Sequence, residues 1–215
     1  MSTIDELLQQ AQQTNSPKLY EQIAKKYYSG NTTAKDDSKA LFYFKKAADL
    51  GSVDAQICTG IMYYKGYGTT VNHKMAKQYW QSAADHGSIE AMRRLGWMCY
   101  KGEYGFWASK GKAFEFWMKA SKLGDAESQN YVGTSYMNDE WGEEKSYRKA
   151  AFWFMCSYQN RNATDAQIKA AKEVLDKLSR HVDLNAVKHE VVTKYPQYIN
   201  LKQHNLNRTI KTITY

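Results

Sequence analysis

The sequence predicts an all-α fold, an α-solenoid of about four helix-turn-helix repeats with capping helices at both ends. Three observations carry this reading. Alanine recurs at Ala40, Ala76, Ala113 and Ala150, at steps of 36, 37 and 37 residues, and a large aromatic stands four residues after each: Phe44, Trp80, Trp117 and Phe154. A small residue recurs earlier in the unit, at Ala24, Gly60, Gly96 and Gly133, with Tyr27, Tyr63, Cys99 and Tyr136 three residues on. Four residues before each alanine stand Asp36, Asn72, Ser109 and Ser146. All four can accept a hydrogen bond from an unpaired first-turn N–H at a helix start.

Taken in order, the elements follow this frame. Counting 36 residues back from Ala47 and Gly51 gives Ala11 and Asn15, so Ile4 to Thr14 reads as a lone second-half helix capping the array over residues 3–14. The repeats run over 18–51, 54–87, 90–124 and 127–161. Each holds two helices of about 11 to 13 residues. The small pairs Ala47-Ala48, Ala83-Ala84 and Ala120-Ser121 precede Gly51, Gly87 and Gly124, placed to end each second helix with positive φ. The fourth copy has Arg161 at that position, which makes its ending irregular. Turns between the two helices open at Gly30, Gly66 and Gly102, with Asp139 in the last copy.

Capping helices are expected over 163–195. Ala166 to Val182 is amphipathic, with Ile168, Ala171, Val174, Leu175 and Leu178 on one stripe, and Leu184 to Lys194 forms a short helix stopped by Pro196. Residues 1–195 thus read as one continuous repeat domain, followed by a basic polar tail over 196–215. The tail's TIKTITY alternates enough to act as a strand on a partner.

Composition narrows the function classes. With 30 basic against 22 acidic residues the net charge is +8, without the dense Lys/Arg clustering of a dedicated nucleic-acid binder. Residues 161–215 hold ten Lys/Arg against five Asp/Glu, which concentrates the excess towards the C-terminus. The opening MSTIDELLQQAQQ is acidic where a secretion signal needs a positive start, and no apolar run approaches the roughly 20 residues that span a bilayer. Cys58, Cys99 and Cys156 are too few and too far apart for a disulfide framework, and read as reduced core or flank residues of a cytoplasmic protein.

The repeat resembles the Sel1-like family, relatives of the tetratricopeptide repeats with a slightly longer unit. The third copy carries the match at Ala91, Leu95-Gly96, Gly102, Lys112-Ala113, Trp117 and Gly124, and the second carries the turn Gly66-Tyr67-Gly68. Thr59 stands where leucine is usual, Cys99 replaces tyrosine, and Asn72, Ser109 and Ser146 replace the acidic cap. The resemblance covers roughly 160 of the 215 residues. It implies a right-handed solenoid whose first helices line a concave, partner-gripping surface.

Helical geometry divides those first helices into two faces, at about 100° per residue. Ala55, Thr59, Gly60, Met62 and Tyr63 form the core side of the second copy. Ile57, Ile61, Tyr64 and Lys65 point away from it, as do Arg93, Trp97, Tyr100 and Lys101 in the third copy, Glu21, Lys25 and Tyr28 in the first, and Asn130, Thr134 and Met137 in the fourth. The expected partner-binding residues are therefore Tyr28, Ile57, Ile61, Tyr64, Arg93, Trp97, Tyr100, Lys101 and Asn130. The 36-residue recurrence of Tyr28, Tyr64 and Tyr100 suits packing as well as binding. Ile61 and Trp97 do not recur, which points to a partner, and Arg93-Arg94 beside Trp97 suits a carboxylate-bearing peptide.

No catalytic constellation is present in the sequence. The stretch from Gly105 to Ala113, GFWASKGKA, has one residue too many for a phosphate loop and ends in alanine where Ser or Thr must reach magnesium. The five histidines lack zinc spacing, and Asp36-Asp37 and Glu143-Glu144 sit where acidic residues favour helix starts. The expectation is a non-enzymatic, cofactor-free, monomeric bacterial protein that binds a protein in its concave groove as adaptor, regulator or assembly scaffold. One alternative is an immunity or antitoxin protein with a single cognate toxin. Another is a nucleic-acid-associated regulator using the basic C-terminal region.

Overall fold

The computed structural model describes residues 3–102, 109–138 and 145–199. Asp139, Glu143-Glu144, the first part of the phosphate-loop look-alike (105–108) and TIKTITY lie outside the described residues. Among the described residues the chain forms helices and turns, with one isolated backbone bridge. The helices are α1 (Ile4–Thr14), α2 (Pro17–Ser29), α3 (Asp37–Asp49), α4 (Val53–Lys65), α5 (His73–Asp85), α6 (Ile89–Lys101), α7 (Lys110–Lys122), α8 (Ala126–Asn138), α9 (Tyr147–Gln159), α10 (Asp165–Leu178) and α11 (Leu184–Lys194). The chain divides into two compact units, Met1–Leu95 and Gly96–Tyr215, each with its own apolar core.

The helix boundaries follow from a few repeated hydrogen bonds. Asp36, Asn72, Ser109 and Ser146 each accept from the amide three residues on, at Lys39, Met75, Lys112 and Lys149. Their own amides donate back to the carbonyls of Tyr27, Tyr63, Cys99 and Tyr136 at 2.8–3.0 Å, so one residue both starts the second helix and ties it to the first. Second helices end in a Schellman pattern. Gly51, at φ 91°, donates to Ala48 O while Ser52 donates to Ala47 O. Gly87 with Ser88, and Gly124 with Asp125, repeat these bonds, which use the left-handed conformation that glycine adopts without a Cβ clash. Because Asn72 is exposed and its cap bond to Met75 N is 3.0 Å, Asn72→Ala should lower stability by about 1 kcal/mol in urea titration. A midpoint equal to wild type would remove the cap from this account.

Close helix approach depends on the small residue of each first helix. A Cβ on Gly60 would lie 2.2 Å from Trp80 Nε1, and one on Gly96 2.3 Å from Trp117 Nε1. The indoles therefore lie directly on glycine backbone, and Trp80 Nε1 donates to Ile57 O at 3.2 Å. Tyr27 and Tyr63 stack on Tyr43 and Tyr79 of their second helices, both pairs at 5.9 Å, a repeated contact that the alanine-based frame did not single out.

The fourth repeat ends differently, as Arg161 in the glycine position predicts. Asn160 is fully buried; its Nδ2 donates to Gly124 O at 2.8 Å and Gln129 Oε1 at 3.1 Å, and its Oδ1 accepts from Asn162 N. Asn160 also forms the backbone bridge with Ile199, beside Arg161 N donating to Tyr198 O at 2.8 Å. Pro196–Tyr198 form a 3-10 turn and Ile199 is buried, so residues 196–199, expected to begin a polar tail, pack on the second unit. Helix α10 stops at Leu178, four residues short of the expected end; Ala171, Leu175 and Leu178 are its buried face.

Candidate functional site: a groove between α8 and α10

In the first unit, Tyr28 is 41 % exposed and shares a small, mainly apolar pocket of about 130 Å³ with Ile61, Cys58, Phe44 and Met62. Ile57 supplies the carbonyl that holds Trp80. Tyr64 is half-buried, its ring 5.4 Å from Trp80 and 5.0 Å from His73, so this recurring tyrosine packs on the repeat's own tryptophan. Arg93 and Arg94 both pair with Glu90, and Arg94 also lies 5.5 Å from the Trp80 ring.

Burial alone would raise the Glu90 carboxyl, but the hydrogen bonds and charges of the two arginines outweigh it and hold the carboxyl below the ordinary glutamate range. A depressed folded-state pKa stabilises the fold above the unfolded value, and that stabilisation is lost as pH falls through the folded value. Glu90→Gln should therefore flatten the acid limb of a stability-versus-pH profile. An acid limb as steep as wild type would dissociate Glu90 from it.

In the second unit, Trp97 meets Trp117 at 5.4 Å, Tyr100 at 5.6 Å and Tyr131 at 5.1 Å. Tyr100 also lies 5.8 Å from Trp117. Trp97, expected to face a partner, also packs against these rings, one of which, Tyr131, comes from the next repeat's first helix. Lys101 is exposed at the end of α6.

Asn130 leads to a groove that combines apolar walls with a polar rim. It lies with Glu127, Tyr131 and Thr134 along α8, facing Ala166, Gln167, Ala170 and Val174 of α10, with Phe154 below, around about 440 Å³. Tyr131 donates its hydroxyl to Glu127 at 2.6 Å, and Thr134 donates to Asn130 O at 2.9 Å, so the rim residues are held in place. Asn130 Oδ1 is buried in the wall without a hydrogen-bond partner among the described residues. Of the nine expected site residues, Asn130 alone lines this groove.

The α10 wall was missed because α10 is no repeat and was read as a cap. Its signal was the 166, 170, 174 spacing. Small Ala166 and Ala170 are exposed, off the buried stripe, and line the groove together with half-buried Val174.

Burial pushes the Cys58 and Cys156 thiols up, away from the thiolate needed for nucleophilic attack. Among the described residues, no group of three His, Cys, Asp or Glu could hold a metal ion, and no helix is long and apolar enough to cross a membrane.

Comparison with known proteins agrees with this architecture. No curated protein matches the chain. A protective antigen of uropathogenic Escherichia coli with an SLR fold is similar at 19 % identity and TM-score 0.73, over 90 % of this chain and 41 % of its own length. A Sel1 repeat protein from Oxalobacter formigenes is similar at 23 % identity and TM-score 0.65, over 85 % of this chain and 73 % of its own. An immunity protein from Pseudomonas aeruginosa aligns at 17 % identity and TM-score 0.44, over 87 % of this chain and 73 % of its own. The Sel1 repeat matches four times, at residues 20–52, 53–88, 89–125 and 126–159, and the chain belongs to the Sel1 repeat family.

Proposed function

We propose that the chain is a non-enzymatic binding module that seats a segment of a partner protein in the α8/α10 groove. Sel1 repeats are protein-interaction repeats, which sets the class. The observation that carries the finer reading is the groove itself: Phe154, Ala166, Ala170 and Val174 offer an apolar bed, while Asn130 brings an unpaired amide oxygen to its wall. Its volume of about 440 Å³ is suited to anchoring side chains of a partner segment. A backbone or side-chain donor on that segment would satisfy Asn130 Oδ1 after a small turn of the amide. A buried acceptor left unpaired costs about 1–3 kcal/mol, so pairing it favours the bound state.

Affinity capture from host extract with the full chain tests this reading. The expected result is a protein retained at moderate salt, where a partner held by apolar anchors stays bound. Recovery of nucleic acid alone, released steeply as salt rises, would replace it with the nucleic-acid reading.

A further inference from the structure

The second unit carries another cavity whose charge no part of the groove reading uses. It holds about 520 Å³ and is walled by Met118 and Lys122 of α7, Tyr136 of α8, Arg148, Lys149, Phe152 and Trp153 of α9, and Glu190 and Lys194 of α11. Its one acid, Glu190, is already paired with Arg148 at 2.8 Å. Lys149 lies over the Tyr136 ring at 5.0 Å and Lys194 over Phe152 at 5.3 Å, and Lys122 stands in the last turn of α7. Lys122, Lys149 and Lys194 all line this one cavity, and none forms an ion pair with a carboxylate among the described residues. Mutual repulsion of three cations around one opening is relieved by an anionic ligand.

We propose that this cavity is a second docking site, for an acidic peptide segment with carboxylates flanking an apolar side chain. Met118 and the edges of Phe152 and Trp153 supply the apolar part, and Lys122, Lys149 and Lys194 receive the carboxylates. The rings argue against single-stranded nucleic acid. Tyr136, Phe152 and Trp153 are 7 %, 8 % and 6 % exposed, so they offer no open faces on which bases can stack. A peptide needs only their edges.

The test pans a random dodecapeptide library on the full chain, then measures the enriched peptides on Lys122→Glu/Lys149→Glu. Lys122→Gln/Lys149→Gln replaces that variant if charge reversal lowers its melting temperature. Enriched peptides should carry at least two carboxylates around an apolar residue, bind more weakly as salt rises, and lose about tenfold or more in affinity on the variant. They should bind Ala166→Trp/Ala170→Trp, in which the α8/α10 groove is filled, as tightly as wild type. The inference is overturned if no acidic peptides are enriched, if they bind both lysine variants like wild type, or if filling the α8/α10 groove abolishes them. It is also overturned if the oligonucleotide dT20 binds more tightly than every selected peptide.

Discussion

Trp117→Ala is expected to cost about 3–5 kcal/mol, enough to leave the second unit largely unfolded or loosely packed near 37 °C. Trp117 is 1 % exposed; its ring lies on the backbone of Gly96 and within 5.8 Å of Trp97, Tyr100 and Tyr131. Deleting the indole opens a cavity that the glycine cannot fill and removes the surface that orients three other rings. The neighbours are rigid aromatics on three different helical positions, so collapse recovers little. Urea unfolding followed by circular dichroism reads the loss directly. A shift under about 1 kcal/mol would show that the aromatic cluster is not the keystone of that unit. Trp97→Ala should cost less, because Trp97 is only partly buried, but it also removes a packing neighbour. For that reason it does not separate binding from folding.

Filling the groove does separate them. Ala166 and Ala170 are exposed positions one turn apart on α10, and both line the space opposite Asn130. Ala166→Trp/Ala170→Trp should abolish partner binding, by about a hundredfold or more, equivalent to about 2.7 kcal/mol. Its cost to the fold is confined to helix propensity, about 0.5 kcal/mol per site, since neither alanine contributes to the core. Calorimetric titration with the captured partner, alongside a melting curve, reads both quantities. Full affinity in a folded double variant would place the partner elsewhere.

The repeat frame was legible because each of its positions answers a local demand that recurs. Ala40, Ala76, Ala113 and Ala150 are fully buried, Asp36, Asn72, Ser109 and Ser146 make their cap bonds, and Gly51, Gly87 and Gly124 take the left-handed turn. Trp97 was harder to place because a helical wheel treats one helix alone, while one ring packed against it, Tyr131, belongs to the next repeat. Arg93 and Arg94 had a local explanation in Glu90, three and four residues before them, which competes with any partner carboxylate. The groove wall on α10 and the role of Asn160 lie where the repeat stops, so no second copy in the chain could reveal them.

Site-specific photocrosslinking tests the central claim most directly, with a benzophenone side chain at position 170 in the α8/α10 groove or at position 172, an exposed residue of α10 outside it. Attachment of the same single protein at 170 and not at 172 is the result this account predicts. Equal attachment at both positions, or attachment at 172 alone, would contradict it.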